Sequence, residues 1–211
     1  MKFTPEQITA LNAPLSKANV RQRRQAGRTL DYIEGWHAID EANRIFGFDG
    51  WSRETLSLTR VSETPRKIGK EKRDGWGVSY LAHVRVAVFA GDRAIVREGT
   101  GSGHGIDADI GLAHESAAKE AETDAMKRAL MTFGNPFGLA LYDKTQANVQ
   151  DAPSAALEMA LGAARACTTR EALRACLARN RQALDPSEAT TLKDECTALA
   201  KALPENEKEP A

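Results

Sequence analysis

Two adjacent cations, Lys127 and Arg128, stand near the end of segment 119–135, where recurring apolar residues predict a helix. Neighbours on a helix point about 100° apart, so both side chains can reach one groove bordering it. Cations this close suit a phosphate track, because each neutralised phosphate releases condensed counterions. The same pair equally suits a helix C-terminus, where cations meet the negative end of the dipole. Residues 17–28 add five bases (Lys17, Arg21, Arg23, Arg24 and Arg28) and no acid. Residues 66–73 add a second cluster of net charge +4, with Lys67, Lys70 and Lys72 in it. Each cluster can be a solvated face or a local positive surface, although the chain as a whole is neutral. Tyr32 follows the first cluster, where an aromatic can stack on a base or a sugar or can be a half-buried core residue.

Other constellations are weaker. His104, Asp107, Asp109, His114 and Glu115 hold metal-ligand residue types but lack a recognised spacing such as H-E-x-x-H. Their carboxylates also suit the start of the helix that follows. The glycines at 99, 101, 103 and 105 fit neither the Walker pattern nor the dinucleotide G-x-G-x-x-G spacing, so nucleotide hydrolysis is not expected. No Ser/His/Asp or Cys/His arrangement stands out. Cys167, Cys176 and Cys196 are an odd, widely spaced set without CxxC, which fits a reducing compartment better than a disulfide framework or a zinc site. No run reaches 18 apolar residues and the opening residues lack a signal-peptide pattern, so a cytoplasmic location is expected.

The elements that must position these residues follow from periodicity and punctuation. Residues 4–17 read as a short helix with Thr4 as N-cap and Pro5 at its first position, and 17–28 read as a basic loop. A helix fits 36–46 and is broken by Gly47 and Gly50. Residues 51–61 alternate as a strand, 65–75 read as a long basic turn, and two further strands fit 77–89 and 94–99 about a tight turn at Gly91-Asp92. Residues 99–111 read as a glycine-rich loop before a strong helix at 112–133, which Gly134-Asn135-Pro136 stops. Three successive strands with no helix between them predict an antiparallel meander. Residues 149–153 read as a linker, helices at 154–166, 169–181 and 186–203 form a small all-α module, and 204–211 read as a frayed tail. The expected fold class is therefore α+β: a three-stranded antiparallel meander packed on a long helix (β-β-β-α) with flanking helices, plus the C-terminal helices.

Tyr32-Ile-Glu-Gly35, Ile39-Asp-Glu-Ala-Asn43, Phe46-Gly47 and Gly50-Trp51 come in order, followed by Val84-Arg85-Val86. Lys119-Glu-Ala121, Thr123-Asp124, Lys127-Arg128-Ala-Leu130, Phe133-Gly-Asn135, Gly138 and Asp143-Lys144 complete the series. This order resembles the Rad52 family of single-strand annealing proteins over residues 4–148, and 103–116 look closest to its bacterial and phage branch. The resemblance implies a non-enzymatic, cofactor-free protein of recombination and repair. It would assemble as a homo-oligomeric ring or arc, hold single-stranded DNA by its backbone with the bases outward, and anneal complements without ATP. It places Arg24, Tyr32, Lys127 and Arg128 in an inner DNA groove and Lys144 at an outer site. Arg21, Arg23, Arg28, Lys67, Lys70 and Lys72 are secondary candidates from the charge clusters.

The chain departs from the family pattern at three places. Met131 stands where another groove arginine is common, Asp107 and Asp109 stand where outer-site lysines are expected, and the 65–75 arm is longer and more basic. That arm is expected to add compensating phosphate contacts. The C-terminal helices are expected either to bind a single-strand binding protein or a recombinase, or to cap the oligomer. Two rival readings stand beside annealing: a metal-dependent nuclease using His104, Asp107, Asp109 and His114, and a duplex-RNA binder using the β-β-β-α core.

Overall fold

The computed structural model describes residues 3–25, 27–91, 93–151 and 153–203. The chain divides into two compact units, Met1–Asp151 and Ala152–Ala211. The first runs α1 (Pro5–Asn12), β1 (Leu15–Ser16), β2 (Val20–Gln25), β3 (Arg28–Ile33), α2 (Gly35–Phe46), β4 (Trp51–Ile68), β5 (Arg73–Ala90), β6 (Arg93–Asp107), α3 (Ile110–Met131) and β7 (Val149–Gln150). Short 3-10 turns at Lys17–Asn19, Asn135–Phe137 and Leu139–Tyr142 link them. Strands β4, β5 and β6 form an antiparallel meander in that order, and α3 packs along it. This is the α+β arrangement the sequence predicts.

The glycine-rich run is not a loop. It is the second half of β6, whose residues from Gly99 to Asp107 pair with Val84 to Trp76 of β5. Alternate side chains of a strand face opposite ways, so the glycines at 99, 101, 103 and 105 all turn to α3. A Cβ on Gly103 would stand 2.0 Å from the carbonyl oxygen of Ala117, and one on Gly105 would stand 1.8 Å from that of Ala113. On the helix, Ala113, Ala117, Ala121, Ala125 and Ala129 recur every fourth residue and are fully buried. Missing side chains on the strand and methyls on the helix let the two backbones touch, which gives α3 its fixed height over the sheet. Further along, Ala82, Val84, Val86 and Val88 of β5 join Met126 and Leu130 in the main core. Phe46 of α2 stacks on Phe137 at 5.9 Å and meets Phe133 edge-on at 5.5 Å, sealing the end of α3.

Other boundaries shift for local reasons. Helix α1 ends at Asn12, because Ala13 precedes Pro14 and takes an extended conformation (ψ 143°). Thr4 caps it in a reciprocal pair with Gln7. The 17–28 segment is not a loop: after one 3-10 turn it forms β2, paired with β3 from Val20↔Ile33 to Gln25↔Arg28. Its side chains are mostly exposed, so no apolar alternation marked it as a strand. Strands β4 and β5 also extend through most of the 65–75 arm, leaving only residues 69–72 as the turn. Pro65 is tolerated because β4 is an edge strand of this sheet. Asp92 of the expected Gly91-Asp92 turn and the tail 204–211 lie outside the described residues. Val149 and Gln150, read as linker, pair in parallel with Leu15 and Ser16.

The second unit contains α4 (Ala155–Arg165), α5 (Arg170–Asn180) and α6 (Pro186–Ala202). Ser154, Thr169 and Asp185 cap their N-termini. Leu157, Ala160, Ala164, Leu173, Cys176, Leu192 and Cys196 make its core, so two of the three cysteines serve as small apolar residues. Among the described residues no helix is long and apolar enough to cross a membrane.

Candidate nucleic-acid interface

Lys127 and Arg128 lie on the last turns of α3, beside the β2–β3 hairpin. The Lys127 ammonium donates to the backbone carbonyl of Ile33 at 3.2 Å and sits 5.5 Å from the centre of the Tyr32 ring. The Arg23 guanidinium lies 5.6 Å from the same ring and 3.8 Å from the Glu120 carboxylate. Both cations are within cation–π range of one aromatic. Arg128 donates to Asp124 at 3.0 Å, one helical turn back. A single groove runs between hairpin and helix, lined by Arg23, Tyr32, Ser102, Lys119, Glu120, Asp124, Lys127, Arg128, Met131 and Tyr142 among others. Burial pushes the Lys127 amine below the usual lysine range, with Asp124 partly opposing the shift. Hydrogen bonding to Asp124 raises the Arg128 guanidinium above its ordinary value.

The groove gathers Tyr32, Lys127 and Arg128 of the expected inner-site residues, but it exchanges Arg24 for Arg23. Register explains the exchange. Arg21 pairs with Tyr32, Arg23 with Leu30 and Arg24 with Thr29, so Arg23 shares the Tyr32 face while Arg24 points to the other. Arg21 folds back, donating to the Ala18 carbonyl at 2.8 Å. Arg28 is exposed at the hairpin end, and Lys144 is exposed in the turn beyond Tyr142; neither lines the groove.

The arm cations lie elsewhere. Lys67 pairs with Asp74 at 2.6 Å, and Lys70 borders a separate hollow with Ile106 and Asp107. About ten residues of strand separate that end of the sheet from the level of Arg128, on the order of 30 Å. Lys72, at the turn, has a positive φ of 51°.

The His and Asp residues near 104–115 have separate duties. His104 Nδ1 meets the Ser79 hydroxyl at 2.9 Å, and the Asp107 carboxylate accepts from the Asp109 amide at 2.9 Å. Asp109 caps α3 by accepting from the Leu112 amide, and His114 bridges the Tyr80 hydroxyl (3.1 Å) and Glu63 (3.0 Å). Among the described residues no three His, Cys, Asp or Glu side chains group as a metal site.

Sequence reasoning missed the acidic partners and Tyr142. Glu120 and Asp124 lie one turn apart beside Lys127 and Arg128, a spacing that announces paired charges once the helix is assigned. Assigning β2 as a strand would likewise have separated Arg23 from Arg24.

A β-β-β-α domain with a groove of paired cations and carboxylates between its long helix and a side hairpin is the class this geometry defines. The model of the Rad52/22 family of double-strand break repair proteins matches residues 5–157, and the chain belongs to that family. It is 37% identical to the DNA repair and recombination protein rti1 of Schizosaccharomyces pombe, over 68% of this chain and 34% of that protein. It is 38% identical to the DNA repair and recombination protein RAD52 of Kluyveromyces lactis, over 64% and 30%. With the Eremothecium gossypii protein of the same name it shares 43% identity over 54% and 24%. The chain thus spans about a quarter to a third of the length of these relatives. They are fungal, so they give no support to a bacterial or phage branch.

Proposed function

We propose that this chain binds single-stranded DNA along the groove and anneals complementary strands in recombinational repair, as a homo-oligomer and without ATP or bond-breaking chemistry. The observation that carries this is the convergence of Arg23 and Lys127 on Tyr32 in a groove that Arg128 also lines. These cations come from a strand and a helix far apart in sequence, and both Arg23 and Arg128 rest against carboxylates. A phosphate oxygen can replace a carboxylate as the partner of either guanidinium. Together with Lys127, these contacts hold a backbone without reading bases, leaving Watson–Crick edges open to a complement. Membership of a double-strand break repair family supports the same reading.

The test is annealing of complementary oligonucleotides without nucleotide or metal, with the mass of the assembly measured alongside. The expected result is pairing well above the spontaneous rate by a species several protomers in size. Pairing at the spontaneous rate by a protein that binds the single strands would remove the annealing claim.

A further inference from the structure

We infer that Tyr142 is the residue that contacts bases in the groove, while Tyr32 serves to hold the groove's cations; the inference rests on the groove being a single-strand site. The two tyrosines line the same groove but differ in surroundings. Tyr32 is half-buried, and its ring is approached by both Arg23 (5.6 Å) and Lys127 (5.5 Å). Two cations this close, on a half-buried ring, leave less of it open to a base. Tyr142 is 65% exposed, although large aromatics are usually at least half covered in a folded domain.

Its position is built. Gly138, at φ +93°, turns the chain out of the aromatic cluster, and the site of its missing Cβ lies 3.5 Å from the side chain of Ile33, the neighbour of Tyr32. The 3-10 turn Leu139–Tyr142 then ends with Tyr142 at the groove that Arg128 also lines. A strand whose phosphate rests on Arg128 therefore presents its sugar or base to an exposed aromatic face. Every base has a π-face, so this contact adds affinity without choosing a sequence.

The experiment compares wild type, Tyr142→Ala and Tyr142→Phe on a single-stranded oligonucleotide and on an abasic phosphodiester chain of equal length, by fluorescence anisotropy. Wild type should bind both, the base-bearing strand more tightly. Tyr142→Ala should lose about ten-fold on the base-bearing strand and less than two-fold on the abasic chain, while Tyr142→Phe keeps wild-type affinity for both. An unchanged affinity of Tyr142→Ala for the base-bearing strand, or an equal loss on both ligands, overturns the assignment of Tyr142 and leaves the groove's function standing. Failure of wild type to bind either ligand overturns the groove reading and this one together. Since the side chain is exposed, melting temperatures of the variants should match wild type, and any shared shift is read from Tyr142→Phe.

Discussion

A lysine pressed against an aromatic ring and a backbone carbonyl is a different reagent from a lysine in water, and the groove depends on that difference. Lys127 gives up hydration for contacts with Tyr32 and Ile33, and burial lowers its pKa. Below the lowered value the amine is charged and available to a phosphate. Between that value and the ordinary lysine value it sheds its proton in the groove while a free lysine keeps it. Affinity for DNA should therefore fall as pH rises through that window, and Lys127→Arg should remove the fall, because arginine stays charged. Folding stability moves oppositely there, since the unfolded chain binds more protons and stability rises with pH. Titrating oligo(dA) binding, whose bases do not ionise in that range, checks this; an identical alkaline profile in the arginine variant would sink it. Register makes a second prediction at the same scale. Arg23→Ala, Lys127→Ala and Arg128→Ala should each weaken binding to every sequence alike and cut the log–log salt slope by about 0.7, whereas Arg24→Ala should change it little. An Arg24→Ala loss as large as that of Arg23→Ala would show that the other hairpin face also meets DNA.

Among the elements, the contact of β6 with α3 fixes where those cations stand, because α3 can rest at only one height over a strand stripped of side chains. Gly103→Ala sets a methyl 2.0 Å from the Ala117 oxygen and 2.4 Å from the Ala121 nitrogen, both backbone atoms that cannot swing aside. It should cost at least about 3 kcal/mol or prevent folding, while Thr100→Ala, exposed on the other face, should cost less than about 1 kcal/mol. Urea midpoints of the two variants decide it, and a wild-type midpoint for Gly103→Ala would show that the contact is looser. This same contact marks the limit of reading the chain by pattern. Glycines usually punctuate, so four of them at alternate positions read as a loop; only a partner helix with alanines at every fourth residue makes them a strand face. The β2–β3 hairpin escaped for the opposite reason, since an exposed strand needs no apolar alternation. Where burial imposes a period, as in β5 with Val84, Val86 and Val88 or in the capped helices of the second unit, the elements were legible, and so were Lys127 and Arg128 as a groove pair. Arg23 stood only among the secondary candidates, because ranking it over Arg24 needs a strand register.

Across the whole molecule the two units have cores that share no residue. The first is built around a sheet, a long helix and an aromatic cluster. Among its described residues the second has seven buried in its core, two cysteines and two alanines among them, across three helices. A core so small sits near the limit at which a chain folds without help, so the helical unit should be the less stable of the two. Leu173, at 2% exposure one of its largest buried side chains, is the lever. Leu173→Ala should cost about 2–5 kcal/mol, enough to unfold the helical unit alone. The variant should lose helical far-ultraviolet signal in proportion to α4, α5 and α6 and should lack the first step of a two-step melt. Every groove residue lies in the first unit, so affinity for single-stranded DNA should stay within two-fold of wild type. A variant that loses the helical signal together with DNA affinity would show that the second unit takes part in binding or in the assembly that binding requires. A single cooperative melt in the wild type would show that the two cores stand or fall as one.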